Sequence, residues 1–265
     1  DASTLNLNDG DPVSTWSDIS TKNNDAVQLN PSNQAHLKVD GIKKSVQFDG
    51  TNDFYDFTHN ITTSGLTAFI VTKRDASLNT QSAIISLSKH YVYTQSSTIR
   101  GLYANLINHT IPFPNDIFSQ FSIQTGSNST SDDLNITSTL SSKNFTRGPF
   151  FNNTHSTLGA LKSQNGLGSY LKFFNGEIAE VILFNNTLNT AEVNIISEFL
   201  SIKHGIVPFK NIYSYKSSHF SNFIGIGQES DGSTTSASDN EKITISNPTH
   251  LDNGEYLVVA NDNLG

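Results

Sequence analysis

Residues 171–207, LKFFNGEIAEVILFNNTLNTAEVNIISEFLSIKHGIV, decide how the rest of the chain is read. Phe173-Phe174 leads into Asn175-Gly176, a dipeptide suited to positive φ and therefore to a tight turn. Ile178, Val181, Ile182, Leu183 and Phe184 then form an apolar run of strand length, ended by Asn185-Asn186. Asn189 can cap a helix, and Glu192 stands three places later, as a capping box requires. Val193, Ile196, Phe199 and Leu200 recur at helical spacing. Lys203 and His204 suit the last turn, and Gly205 suits the left-handed stop. The spacing predicts a buried strand followed by the chain's one convincing helix.

The remaining pattern is β. Of the 265 residues, 35% are hydrophobic and only 15% charged, so Asn, Ser and Thr supply the polarity. That composition suits a turn-rich β protein. Strands are expected at 46–48, 66–73, 83–88, 99–106 and 117–124, with an edge strand at 134–139 between two mobile loops in the polar stretch 126–157. Beyond Val207, residues 223–228, 243–246 and 255–260 predict three short strands, with a loop at 229–239. This end either packs on the first domain, opens a second one, or gives a strand to a neighbouring molecule.

Two separated stretches resemble one family. FNGEIAEVILFNNTLNTAEVNIISEFLSIKHGI is similar to the closing strand and terminal helix of bacterial laminin-G-like domains, which belong to the concanavalin-A-like lectin–glucanase jelly rolls. Asp1-Ala2-Ser3, Trp16-Ser17-Asp18-Ile19-Ser20, Asn23-Asn24-Asp25-Ala26 and Val46-Gln47-Phe48-Asp49-Gly50 resemble the opening of the same family, with Thr21 where Gly is usual. The resemblance implies an all-β, two-sheet antiparallel jelly-roll sandwich over 1–207 with one C-terminal helix, and a β-rich extension or partial second domain over 208–265. It also implies a secreted, cell-surface module: an adhesin binding a glycan or a surface protein, without catalysis. The pieces beyond 207 resemble a β region that follows such domains in large bacterial surface proteins, so a filament subunit self-associating through its C-terminal strands is the alternative. With Met absent altogether, the chain is expected to be a processed or excised piece of something longer.

Other classes are excluded more directly. The net charge of −8 gives no basic footprint for nucleic acid. No run approaches the ~18 apolar residues of a membrane span. Without cysteine there are no disulfides or Cys-zinc sites, and the eight His show no ligand spacing. Seven N-x-S/T sequons occur, five of them between Asn108 and Asn152; with 30 Asn and 61 Ser plus Thr, chance alone yields about as many.

Candidate chemistry is acidic and aromatic. Asp9, Asp11, Asp18, Asp25, Asp49, Asn52 and Asp53 lie in turn-rich sequence, and calcium takes oxygen ligands of this kind. Two readings stand side by side: ordinary turn chemistry for these residues, and calcium as a cofactor with Asp18, Asp49 and Asp53 as metal ligands, which the resemblance supports because such jelly rolls often carry a calcium site. No catalytic residues are expected. Glu177-Ile178-Ala179-Glu180 is the nearest match to a glucanase E-x-D-x-x-E strand, but it lacks the middle Asp, and strand alternation predicts opposite faces for its two glutamates. Trp16, the only Trp, is expected in the core near the sheet edge, with sugar stacking as the alternative reading. Tyr91, Tyr93 and Tyr103 can line a groove, and Tyr213 and Tyr215 either form an aromatic ladder or pack.

Overall fold

The computed structural model describes residues 1–58, 65–75, 81–87, 90–96, 99–104, 107–112, 119–126, 132–138, 142–147, 155–162, 169–219, 221–232, 234–238, 245 and 250–262. The expected mobile loops within 126–157 and most of the strand at 243–246 lie outside them. The chain divides into two compact units, Asp1–Thr187 and Leu188–Gly265.

The first unit is an all-β antiparallel sandwich. Its early strands are β1 (Thr15–Trp16), β2 (Ala26–Val27), β3 (His36–Asp40), β4 (Lys43–Asp49) and β5 (Tyr55–Thr58). The middle of the chain supplies β6 (Gly65–Arg74), β7 (Ser82–Leu87), β8 (His90–Ser96), β9 (Ile99–Ala104), β10 (Ile107–Pro112) and β11 (Ser119–Gly126). Then come β12 (Asp132–Ser138), β13 (Ser142–Arg147), β14 (His155–Leu158), β15 (Leu161–Lys162), β16 (Tyr170–Leu171) and β17 (Asn175–Phe184). One sheet runs β1-β2-β5-β14-β7-β8-β9-β10, the other β13-β12-β11-β6-β17-β4-β3, and β15-β16 form a small ribbon. Strand β6 is central, as its apolar run predicts. The strand expected at the edge, β12, is second from it, because β13 pairs along its outer side.

A core shared by both sheets holds Val46, Phe48, Ile70 and Ile178 from one and Trp16, Tyr55, Ile85 and Leu158 from the other. Trp16 is thus a core residue, 4% exposed. Phe48 meets Tyr55 edge-on at 5.8 Å and Phe174 at 5.9 Å between ring centroids. The Tyr55 hydroxyl donates to the Val13 carbonyl at 2.7 Å, satisfying a buried polar group that would otherwise be costly. Burial pushes this phenol well above its usual range.

Asn175-Gly176 is not the expected turn. It opens β17, paired with Asp49 and Phe48 on one side and with Arg74 on the other. Glycine is needed there for close approach: a Cβ at Gly176 would lie 2.4 Å from the Lys73 carbonyl oxygen. The register of β17 against β6 slips between Ile178 and Glu180. This bulge keeps Ile178, Val181 and Leu183 on the core side.

The second unit holds α1 (Thr190–His204), β18 (Ser221–Gln228), β19 (Thr234–Ser238) and β20 (Tyr256–Asn261), with sheet order β19-β18-β20. Strand β19 falls inside the stretch 229–239 expected as a loop; its Thr and Ser residues pair in register with β18. The capping box of Asn189 and Glu192 is present, and Gly205 ends the helix at φ 64°. The helix, expected to end a 1–207 domain, belongs instead to this second unit. Ile195, Phe199 and Ile202 pack with Phe223, Tyr256 and Val258 of the three-stranded sheet. Gly225 lets it approach, since a Cβ there would sit 3.3 Å from Ile195.

Gly159 tests the first core. It has φ +79°, and a Cβ there would fall 2.3 Å from the Phe48 ring. Gly159→Ala is expected to cost about 2–4 kcal/mol through overpacking and backbone strain, measured as a lowered urea midpoint with unchanged slope.

Candidate functional site

A cleft of about 310 Å³ opens in the first unit between the β1–β2 connection and the second half of β17. Trp16, Asp18, Ile19 and Asn24 line one wall, and Glu180 and Val181 stand on the other. The first wall is built by local hydrogen bonds. The Asp18 carboxylate accepts from the Ser20 amide at 2.9 Å, the Ser20 hydroxyl at 2.8 Å and the Asn24 amide at 2.9 Å. Asp25 in turn accepts from the Asp18 amide at 2.7 Å. Asn23 sits at φ 55°, a conformation Asn tolerates better than most residues. The connection is therefore held in shape by its own acidic side chains, and Ile19 is left 66% exposed beside the cleft.

Burial pushes the Asp18 carboxyl upward, but the hydrogen bonds from Asn24 and Ser20 outweigh it and hold the group below the usual carboxylate range. It is an acceptor, not a proton donor, near neutral pH. The buried Trp16 Nε1–H has no acceptor among the described residues, an uncompensated polar group at the cleft wall.

The expected metal ligands are not gathered into one site. Asp49 ends β4 and Asp53 lies in the turn between β4 and β5. Asp49 accepts from the Thr51 amide at 2.7 Å and the Asn52 amide at 3.2 Å, and Asp53 accepts from the Asp49 amide at 2.9 Å. Asp53 is 4% exposed, and burial raises its carboxyl above the ordinary value. Asp9 and Asp11 likewise accept from the Val39 and Asn8 amides, at 2.8 Å each. Among the described residues no three His, Asp or Glu side chains are grouped to hold a metal ion. Calcium needs six to eight converging oxygens, whereas these carboxylates serve turns. As a set, the three nominated aspartates do not fit calcium.

The glutamate pair is placed differently from the alternation rule. Glu177 lies opposite Lys73 and Glu180 opposite Val71, two residues on one face of β6. The bulge between them therefore returns both glutamates to the same face of β17. Glu177 is engaged by the Ser45 hydroxyl at 2.6 Å and Lys73 Nζ at 3.1 Å. The sequence carries no mark of this bulge.

Two further groups stand out. Asp56 accepts from Lys162 Nζ at 3.0 Å and from the Tyr170 hydroxyl, and Phe54 stacks on Tyr170 with centroids 3.6 Å apart. Register places Asp56, Thr157, Ser86, Tyr91 and Tyr103 in one cross-strand row, with Tyr93 opposite Gly101. Tyr91 and Tyr103, nominated as groove residues, are thus opposite one another in the backbone register of β8 and β9. In the second unit Tyr213 is 7% exposed against Phe223 while Tyr215 is 66% exposed, so the pair is not a ladder.

No family model matches the chain, and no curated protein matches it. Among solved structures, a Trypanosoma rangeli sialidase in complex with the inhibitor DANA is 10% identical at a TM-score of 0.43, covering 66% of this chain and 29% of that one. The LG1-3 region of the laminin α2 chain is 14% identical at 0.37, covering 55% and 32%. NanB plus Optactamide is 16% identical at 0.39, covering 73% and 33%. The chain spans about a third of the length of these structures. At this similarity no family and no activity passes to it. No helix among the described residues is long and apolar enough to cross a membrane.

The Asp18 hydrogen bonds have a pH signature. A carboxyl held below its unfolded value adds stability that is complete above that value and disappears as pH falls through the lower folded one. Asp18→Asn is therefore expected to lower the melting temperature at neutral pH. The gap from the parent protein should close on acidification below about pH 4. Melting curves across that range check it.

Proposed function

We propose that the sandwich is a non-catalytic binding module of an extracellular surface, recognising a glycan or a protein partner. The observation that supports this most is the cleft beside Trp16. Its volume, about 310 Å³, falls at the lower end of small-molecule sites. One wall is a preorganised polar loop beside an exposed apolar side chain, a combination that suits the hydroxyls and apolar faces of a sugar. Asp18, ionised and fully engaged, is a poor general acid, which favours binding over hydrolysis.

Trp16 is the chain's only Trp, so its fluorescence reports on this cleft alone. A glycan array should give a defined set of hits. Titrating a hit is expected to shift Trp16 emission saturably, and Ile19→Asp should weaken binding by about tenfold or more, as loss of an apolar contact does. An array without hits, or hits that leave the emission unmoved, would sink the reading for glycans at this site. Turnover of the bound glycan would replace it with a hydrolase.

A second reading, a structural subunit joined by strand addition, draws on β20. Among the described residues it is the last strand of its sheet, and Leu257 and Val259 on it are 50% and 49% exposed. A chain associating there should scatter light as an oligomer at micromolar concentration, and Leu257→Lys should return it to monomer. A parent protein that stays monomeric removes this reading.

A further inference from the structure

We propose that the second unit makes its own covalent cross-link, an isopeptide bond between Lys210 Nζ and Asn194 Cγ, with Glu229 as the proton carrier. Lys210 Nζ lies 2.7 Å from Glu229 Oε1, and Asn194 Nδ2 lies 2.9 Å from the same oxygen. An amine, a carboxamide and a carboxylate that touches both are the three parts this condensation needs.

The surroundings hold the three in place. Asn194 is 8% exposed in the interior of α1, where Asn is a poor choice for the helix itself. Its Nδ2 also donates to the Tyr256 hydroxyl at 2.9 Å, and that hydroxyl donates to Glu229 Oε1. Lys210 Nζ sits 4.9 Å above the Tyr256 ring. The Glu229 side chain is 12% exposed, and that of Lys210 is 38% exposed. Lys210 follows the Gly205 stop and Pro208, so the bond would tie the helix interior to the segment that leaves it. In a chain without cysteine, such a bond supplies a staple that disulfides cannot.

The step balances without any oxidant or co-reactant. Glu229 takes a proton from the Lys210 ammonium, and the freed amine attacks Asn194 Cγ. The new N–C bond forms, Glu229 returns its proton towards Nδ2, and the Cγ–Nδ2 bond breaks. The second amine proton leaves with the departing group, so the products are a secondary amide and an ammonium ion, and Glu229 ends as the carboxylate it began as. Two nitrogens on one carboxylate oxygen bring the amine and the carboxamide into one small volume, which is what an intramolecular condensation requires. General acid–base help from the shared carboxylate adds to this.

Intact mass spectrometry of the purified full chain, before and after incubation in mildly alkaline buffer, tests the bond. The expected mass is one ammonia below the sequence mass, and proteolysis should release a branched peptide joining residues 194 and 210. Lys210→Arg and Glu229→Gln should each restore the sequence mass for their composition. A parent chain that keeps its full sequence mass after incubation overturns the proposal. So does an ammonia loss that persists in Lys210→Arg, because that loss would then be a cyclised asparagine.

Discussion

The first unit depends on one aromatic contact. Phe48 of β4 meets Tyr55 of β5 edge-to-face, and these two strands belong to opposite sheets. Phe174 closes the third side, and the bare backbone of Gly159 lies against the Phe48 ring. Aromatic pairs of this kind add about 0.5–1.5 kcal/mol beyond the area they bury. The Tyr55 hydroxyl extends the knot by reaching the Val13 and Ala35 carbonyls. The segment leading to β1 is thereby fastened to the core, and β1 carries Trp16 to the cleft wall.

The cleft is a consequence of that fastening. Strand β4 pairs with β17 only from Asn175 to Ile178. Beyond the bulge β17 continues alongside β6, and its residues 180–183 border the cleft. The opposite wall keeps its shape through Asp18 and Asp25, which bond the loop's own amides. Oxygens spent in this way are poorly placed to collect a cation, so the property that makes the loop a firm wall also works against the expected calcium cage.

The second unit buries polar side chains on a helix that looks merely amphipathic in sequence. Glu198, fully buried, accepts from the Ile212 amide at 3.1 Å and from Lys216. Ser197 accepts from the Phe209 amide at 2.7 Å. These bonds fix the segment after the helix, where a stripe of Val193, Ile196, Phe199 and Leu200 alone would predict only a greasy face. A buried carboxylate is tolerable because it is fully engaged.

Local signals in the sequence determined the helix with both of its caps, the central strand at 65–74, the antiparallel β class and the core position of Trp16. Each depends on periodicity or capping chemistry within a few residues, which the chain displays directly. Tertiary structure alone decided which unit holds the helix, that Asn175-Gly176 opens a strand, and that Glu177 and Glu180 share a face. It also decided that Asp18 bonds the amides of one connection while Asp49 and Asp53 bond those of another, and that Lys210, Asn194 and Glu229 meet at one oxygen. These outcomes turn on a bulge, a register or a contact between residues far apart in the chain. Their energies come from partners that no short window of sequence contains.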